Sequence, residues 1–179
     1  QAGINLLMLG ATPLAWAAGT RVGGWGGAVV YLRLQRPLRG LLQGLLWGFA
    51  SLVGLAVLGL LLQGADYETP NPQADAILGA MTPQLALALA FSAAVGEEIL
   101  FRGLLLRWIG VWGQAILFGL IHLSYATPLQ VVLPGLLGLL YGFLVKRGAP
   151  LWTPIAAHFV FNYVQFSSPF WQPLLEQWG

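Results

Sequence analysis

From Gly40 to Leu62 the chain runs 23 residues without a charged side chain. A helix rises about 1.5 Å per residue and the hydrocarbon core of a bilayer is about 30 Å thick, so about 20 apolar residues cross it. Most of the remaining sequence repeats this pattern of apolar runs broken by short polar stretches. Only 8% of the 179 residues are charged and 58% are hydrophobic. A soluble domain carries roughly 25% charged residues. Six acids and eight bases cannot cover a globular surface of this size, so most of the surface is expected to face lipid. The absence of cysteine excludes disulfides, thiolate zinc sites and cysteine nucleophiles. A net charge of +2 without a Lys/Arg-rich tract gives no grip on phosphate backbones, and nucleic acid is not expected as a partner.

The polar punctuation divides the chain. Ile4–Thr20 is apolar and rich in Gly and Ala, without the basic stretch that opens a cleavable signal peptide. Val22–Leu32 is either an interfacial piece or a short helix. Arg33, Arg36 and Arg39 form a basic loop before the Gly40–Leu62 span, and Gly64–Asp75 is an acidic, proline-containing loop. Thr82-Pro83 supplies an N-cap and first helical position for a helix reaching about Arg107. Gly110 and Gly113 bracket a turn. Val111–Tyr125 is a short helix stopped by Thr127-Pro128, Leu129–Val145 is a span interrupted by Pro134, and Leu151–Phe166 is the last span. Trp171, Leu174, Leu175 and Trp178 suit a segment lying in the interface. The expectation is an all-α, polytopic transmembrane helical bundle of about six spans, one membrane-embedded domain over 1–179, with a four-helix core at about 83–166. With Arg33, Arg36 and Arg39 cytoplasmic, tracing the spans returns Arg107, Lys146 and Arg147 to that side and leaves the acidic loop and Tyr125–Pro128 opposite, as the positive-inside rule requires. The expected localisation is that of an integral, multi-pass membrane protein.

Inside these apolar runs stand Glu97, Glu98, Arg102, His122 and His158. Ionisable groups at membrane depth are expensive and mark function by default. Glu97 lies ten residues before Arg107 and His122 ten after Trp112, so both sit about 15 Å from the turn. His158, eight residues after Pro150, enters to about 12 Å from the same side. Three helices thus bring a carboxylate and two imidazoles to one depth. Glu98 and Arg102 share a helix face and can pair. Glu97 is rotated about 100° from Glu98 and can point inward. His158 and Asn162 share another face, and Phe118 sets an aromatic wall beside His122. A Glu beside a His can hold and deprotonate water, and a second His with an Asn can donate hydrogen bonds to an oxyanion. The alternative use of Glu97, His122 and His158 is a zinc site with water in the open position.

Glu97-Glu98-Ile99-Leu100-Phe101-Arg102 fits Glu-Glu-x-x-x-Arg, Phe118–His122 fits Phe-x-x-x-His, and His158–Asn162 fits His-x-x-x-Asn. In this order, on successive apolar segments, they resemble the three motifs of the CAAX-protease and bacteriocin-processing (ABI) family of intramembrane endopeptidases, over about residues 83–166. The resemblance implies that Glu97 and His122 activate water, that His158 and Asn162 stabilise the oxyanion, and that Glu98 and Arg102 hold the helix. It implies a peptide or protein substrate met in the bilayer, of membrane-associated or prenylated type, and either no cofactor or a zinc ion.

Blander readings compete. A lone membrane histidine more often packs or ligates haem than catalyses, and a run of buried carboxylates and imidazoles also suits a proton relay in a transporter. The same fold could serve as an inactive immunity or scaffold protein. Gly135 and Gly138 are expected to permit close helix contact. The tryptophans, among them Trp108, Trp112 and Trp152, fit an interfacial belt, and Tyr125 and Gln130 stand near the outer turn.

Overall fold

The computed structural model describes residues 11–12, 15–16, 18–21, 23–62, 76, 78–123 and 129–171. Within them the regular structure is helical, with no strand. The elements are α1 (Gly24–Tyr31), α2 (Pro37–Leu62), α3 (Pro83–Glu98), a π-helical segment (Ile99–Leu105), α4 (Leu106–Leu120), α5 (Leu129–Lys146) and α6 (Trp152–Phe166). The Val22–Leu32 stretch therefore holds a short helix. The expectations for most of Ile4–Thr20, for Gly64–Asp75, for Ser124–Pro128, for the side chain of Gln130 and for the tail beyond Trp171 lie outside the described residues.

Local chemistry explains the helix starts. Thr82 has extended backbone and its hydroxyl accepts from Leu85 N at 3.2 Å, with Pro83 in the first helical position. This satisfies one of the amides that a helix start leaves open. α2 likewise opens on Pro37, which has no amide hydrogen to lose. α5 carries Pro134 internally and continues through it.

Among the described residues two helical stretches are long and apolar enough to cross a membrane: Pro37–Leu58, with mean hydropathy 1.9, and Pro83–Leu120, with mean hydropathy 1.5. The second is 38 residues long, which as a straight rod would measure about 57 Å, nearly twice the hydrocarbon core. It is not straight. Gly110 has φ 70° and ψ −177°, a conformation open to glycine and strained for other residues. The chain folds back there. Arg102 and Phe118 stand eight residues on either side of Gly110, yet the Arg102 guanidinium carbon is 4.3 Å from the Phe118 ring centroid. On an unbroken helix they would be about 24 Å apart. The turn expected between Gly110 and Gly113 is thus made at Gly110.

Close packing of small residues joins the helices. On α2, Gly40, Gly44 and Gly48 repeat every fourth position and face α6. A Cβ on Gly44 would stand 2.5 Å from Ala156 Cβ and 2.6 Å from Thr153 O, and one on Gly48 would stand 2.9 Å from Ala157 O. α4 meets α5 in the same way: Gly138 lies 3.1 Å from Ala115 Cα measured from its ideal Cβ, and Gly135 borders Ala115 and Gly119. Such seams let backbones approach where no hydrophobic force separates helix from solvent. α6 lies between α2 and α3, and α4 bridges from the π segment to α5.

The distribution of polarity is inverted relative to a water-soluble fold. Among the largest fully buried side chains are Arg102, Gln114, Glu98 and Tyr141, while Leu46, Phe49, Leu61, Phe91 and Ile116 are exposed. An apolar exterior around a polar centre is the arrangement that a lipid solvent favours.

Candidate active site

Glu97 and Glu98 end α3, and the chain then widens into the π segment. Its i to i+5 pattern is visible where the Leu106 amide donates to Phe101 O. The expected uniform helix to Arg107 is therefore interrupted directly after the paired carboxylates. Single π turns of this kind recur at functional sites because one inserted residue re-aims the side chains beside it.

Glu98 is the hub. Its Oε1 accepts from Arg102 Nη1 at 2.8 Å and from His158 Nδ1 at 2.8 Å, with Glu98 and Arg102 fully enclosed. The i,i+4 pair expected from spacing forms, and it has a third member on α6. With Nδ1 turned to Glu98, the other ring nitrogen of His158 faces Glu97, whose Oε2 lies 3.8 Å from Nε2. Arg102 is also held between aromatic faces: its guanidinium carbon is 4.3 Å from the Phe118 ring centroid, 5.7 Å from that of Tyr141 and 5.9 Å from that of Phe101.

Phe118 is the wall between the two imidazoles. Its ring centroid lies 5.2 Å from that of His122 and 5.9 Å from that of His158, the latter edge-on, and Phe101 packs against it at 4.9 Å. α4 ends at Leu120, short of the expected Tyr125, so His122 stands in the turn just past the helix. Its Nδ1 is 2.7 Å from Phe118 O. Asn162 sits one helical turn after His158 on α6 and is partly exposed. Its side chain makes no hydrogen bond among the described residues.

Glu97, Glu98, Arg102, Phe118, His122 and His158 thus form one connected set drawn from α3, the π segment, the end of α4 and α6. Among the described residues, Glu97 Oε2, Glu98 Oε2 and Arg102 Nε and Nη2 are buried without a hydrogen-bond partner. A buried carboxylate oxygen in that state costs about 1–3 kcal/mol until a donor reaches it, so the centre is built to accept further hydrogen bonds.

Two polar neighbours escaped the reading from spacing. Tyr141 is 1% exposed, and its hydroxyl is 3.3 Å from Ser51 Oγ on α2. Gln114 is fully buried and donates to Val111 O at 2.9 Å and Gly138 O at 2.8 Å, tying α4 to α5. Each is a polar side chain in an apolar span, which is the signal that would have singled them out.

Zinc was the alternative use for Glu97, His122 and His158. Among the described residues no three histidine or carboxylate side chains are gathered closely enough to share a metal ion. His158 Nδ1 is committed to Glu98, and His122 Nδ1 lies on a backbone carbonyl. In each ring that contact leaves Nε2 as the nitrogen an ion would meet.

Comparison with known proteins adds a family. Residues 79–164 match the family described as type II CAAX prenyl endopeptidase Rce1-like. This segment is similar to the Rce1-like family. All three motifs fall within it, together with every residue of the connected set. The uncharacterized protein YpbD of Bacillus subtilis (strain 168) is 32% identical over 81 residues, which cover 45% of this chain and 41% of that relative. The chain therefore spans about two fifths of the length of the curated relative it matches. No solved structure matches it. The Rce1-like segment and the two long apolar helices identify a membrane protein.

Proposed function

We propose that this chain is an intramembrane endopeptidase that hydrolyses a peptide bond of a membrane-associated or prenylated-type substrate. The observation that carries the reading is the Glu98 carboxylate on His158 Nδ1, which turns the opposite ring nitrogen toward Glu97. A fixed imidazole facing a buried carboxylate is a constellation for general acid–base chemistry. In this mechanism Glu97, assisted by His122, accepts a proton from water as the water oxygen bonds to the carbonyl carbon. His158, through Nε2, and the Asn162 amide donate to the oxyanion that forms. Collapse breaks the carbon–nitrogen bond, and the proton held by Glu97 passes to the leaving amine. Glu98 and Arg102 position His158 and do not touch substrate.

An apolar groove of about 290 Å³ lies between α2, α5 and α6, lined by Trp47, Ser51, Leu136, Leu140 and Phe161. It would seat an apolar substrate segment or a lipid tail. The membrane arrangement that suits the reading has about six spans with the Arg33–Arg39 and Lys146–Arg147 loops in the cytoplasm and a four-helix catalytic core.

Purified protein in lipid nanodiscs, supplied with membrane-anchored peptides, is the test. Glu97→Gln, His122→Ala and His158→Ala should each lower cleavage by at least about a hundredfold, and the isosteric Glu97→Gln should keep an unfolding midpoint near that of the unsubstituted chain. Retained proteolysis in Glu97→Gln would end the proposal.

A further inference from the structure

We propose that the basic end of the helix bundle binds the phosphate of an anionic phospholipid headgroup. A cavity of about 370 Å³ lies there between the α1–α2 and α5–α6 loops, lined by Arg33, Arg36, Arg39, Lys146 and Pro150. A smaller one of about 160 Å³ shares Arg33 and Lys146 and adds Arg107 and Arg102 beside the Gly110 turn. The larger volume equals that of about a dozen water molecules, room for a phosphate and the glycerol that bears it.

No carboxylate among the described residues stands at this end. Among the described residues the carboxylates are Glu97 and Glu98, and both belong to the catalytic centre. Arg36, Arg39 and Lys146 are exposed, and their side chains have no ion-pair or hydrogen-bond partner among those residues. Burial, and then the neighbouring Arg107, both press Arg33 below its ordinary pKa, and an anion seated between them would relieve that.

The cations are also held in place. Arg33 and Arg36 have φ of 54° and 58°, left-handed values that arginine adopts only when its surroundings enforce them. The enforcement is visible. Leu34 N donates to Val29 O at 2.8 Å, Leu151 N to Arg33 O at 2.9 Å, and the Trp152 indole to Leu34 O at 2.9 Å. The Arg33 guanidinium bonds Val145 O and that of Arg107 bonds Tyr31 O. Two loops distant in sequence are thereby locked into one cationic bowl.

A lipid is favoured over a free anion by what surrounds the bowl. Trp108 and Trp112, 68% and 65% exposed, flank the Gly110 turn at this end. Exposed tryptophans of a membrane protein lie at headgroup depth. Exposed Leu38, Leu41 and Leu42 begin the apolar face of α2 beside Arg39. The cavity therefore opens on the border between acyl chains and polar loops, where planar guanidinium groups can grip a phosphate bidentately while the tails continue along the helix.

The experiment uses the full chain in detergent and in nanodiscs. Native mass spectrometry of delipidated protein titrated with phosphatidylglycerol or phosphatidylcholine should show selective retention of phosphatidylglycerol. Arg36→Gln/Arg39→Gln should weaken that retention about thirtyfold, from the usual increment per basic residue. Arg36→Lys/Arg39→Lys keeps the charge without the fork and should weaken it by a smaller factor. Equal retention of both lipids overturns the proposal, as does a lysine pair that binds like the unsubstituted chain, since that is diffuse attraction. Displacement of phosphatidylglycerol by glycerol 3-phosphate at equal concentration also overturns it, by making the ligand a soluble anion. None of these readouts needs cleavage, so they stand apart from the protease reading.

Discussion

Replacing Glu98 by Gln keeps the shape of the hub and removes its charge. In the folded protein one carboxylate oxygen takes hydrogen bonds from Arg102 and His158, each at 2.8 Å, and Glu98, Arg102 and His158 are 0%, 2% and 7% exposed. Losing one partner of a buried ion pair costs about 3–5 kcal/mol, because the other charge stays desolvated and uncompensated. The glutamine oxygen still accepts one hydrogen bond from a charged donor, which places the expected loss near the lower end, about 3 kcal/mol. The Arg102 contact with the Phe118 ring exists in both proteins and cancels in the difference. Equilibrium unfolding in mixed micelles of a mild and a denaturing detergent, followed by tryptophan fluorescence, measures the change. Glu98→Gln/Arg102→Met then removes the stranded cation as well. It should recover about 2 kcal/mol of the loss, since an apolar group of similar volume commonly replaces a buried pair at little cost. Cleavage should remain slow in both variants, because His158 has lost the anion that orients it. The reasoning is refuted if the single variant unfolds within about 1 kcal/mol of the unsubstituted chain, or if the double variant is no more stable than the single one.

Other consequences are open to the same methods. Gly44→Ala should destabilise by about 1–3 kcal/mol, because its methyl would meet Ala156 Cβ at 2.5 Å and the helices must part. Gly54→Ala, on the same helix with nothing within 4 Å, should be neutral or stabilising by up to about 1 kcal/mol; equal effects at the two positions would refute the α2–α6 seam. Gly110→Ala should cost about 1–3 kcal/mol through its positive φ, with faster hydrogen exchange confined to the turn; unchanged exchange would refute the fold-back at that glycine. Treatment with a chelator, followed by metal analysis, should leave the cleavage rate unchanged, whereas a stoichiometric metal whose removal stops turnover would replace the glutamate route with a metal-held water.

Much of the candidate site was legible because helical spacing is rigid. The i,i+4 relation of Glu98 and Arg102 needs only 3.6 residues per turn, and the pair forms. The common depth of the acidic and imidazole positions needs only a turn near residue 110 and a constant rise. Phe118 beside His122 is again one turn of helix. The basic loops traced to one side of a membrane also meet at one end of the bundle, around Arg33 and Lys146.

Rotation about each helix axis was not legible, since it depends on neighbours distant in sequence. The π segment after Glu98 shifts the angular register of α4, and no residue type announces it. The end of α4 at Leu120 puts His122 in a turn and not on a helix face.

The sequence alone, through its scarcity of charge and its apolar runs, determined that the chain is helical and suited to lipid, and through its motif spacing which ionisable residues could share a depth. Only the tertiary structure decided which of them touch: that Glu98 holds His158 as well as Arg102, that Phe118 stands between the two histidines, and that Gly40, Gly44 and Gly48 seat α2 on α6. Periodicity along one helix is a local property of the backbone, whereas the choice of facing partner is made by packing between segments far apart in the sequence.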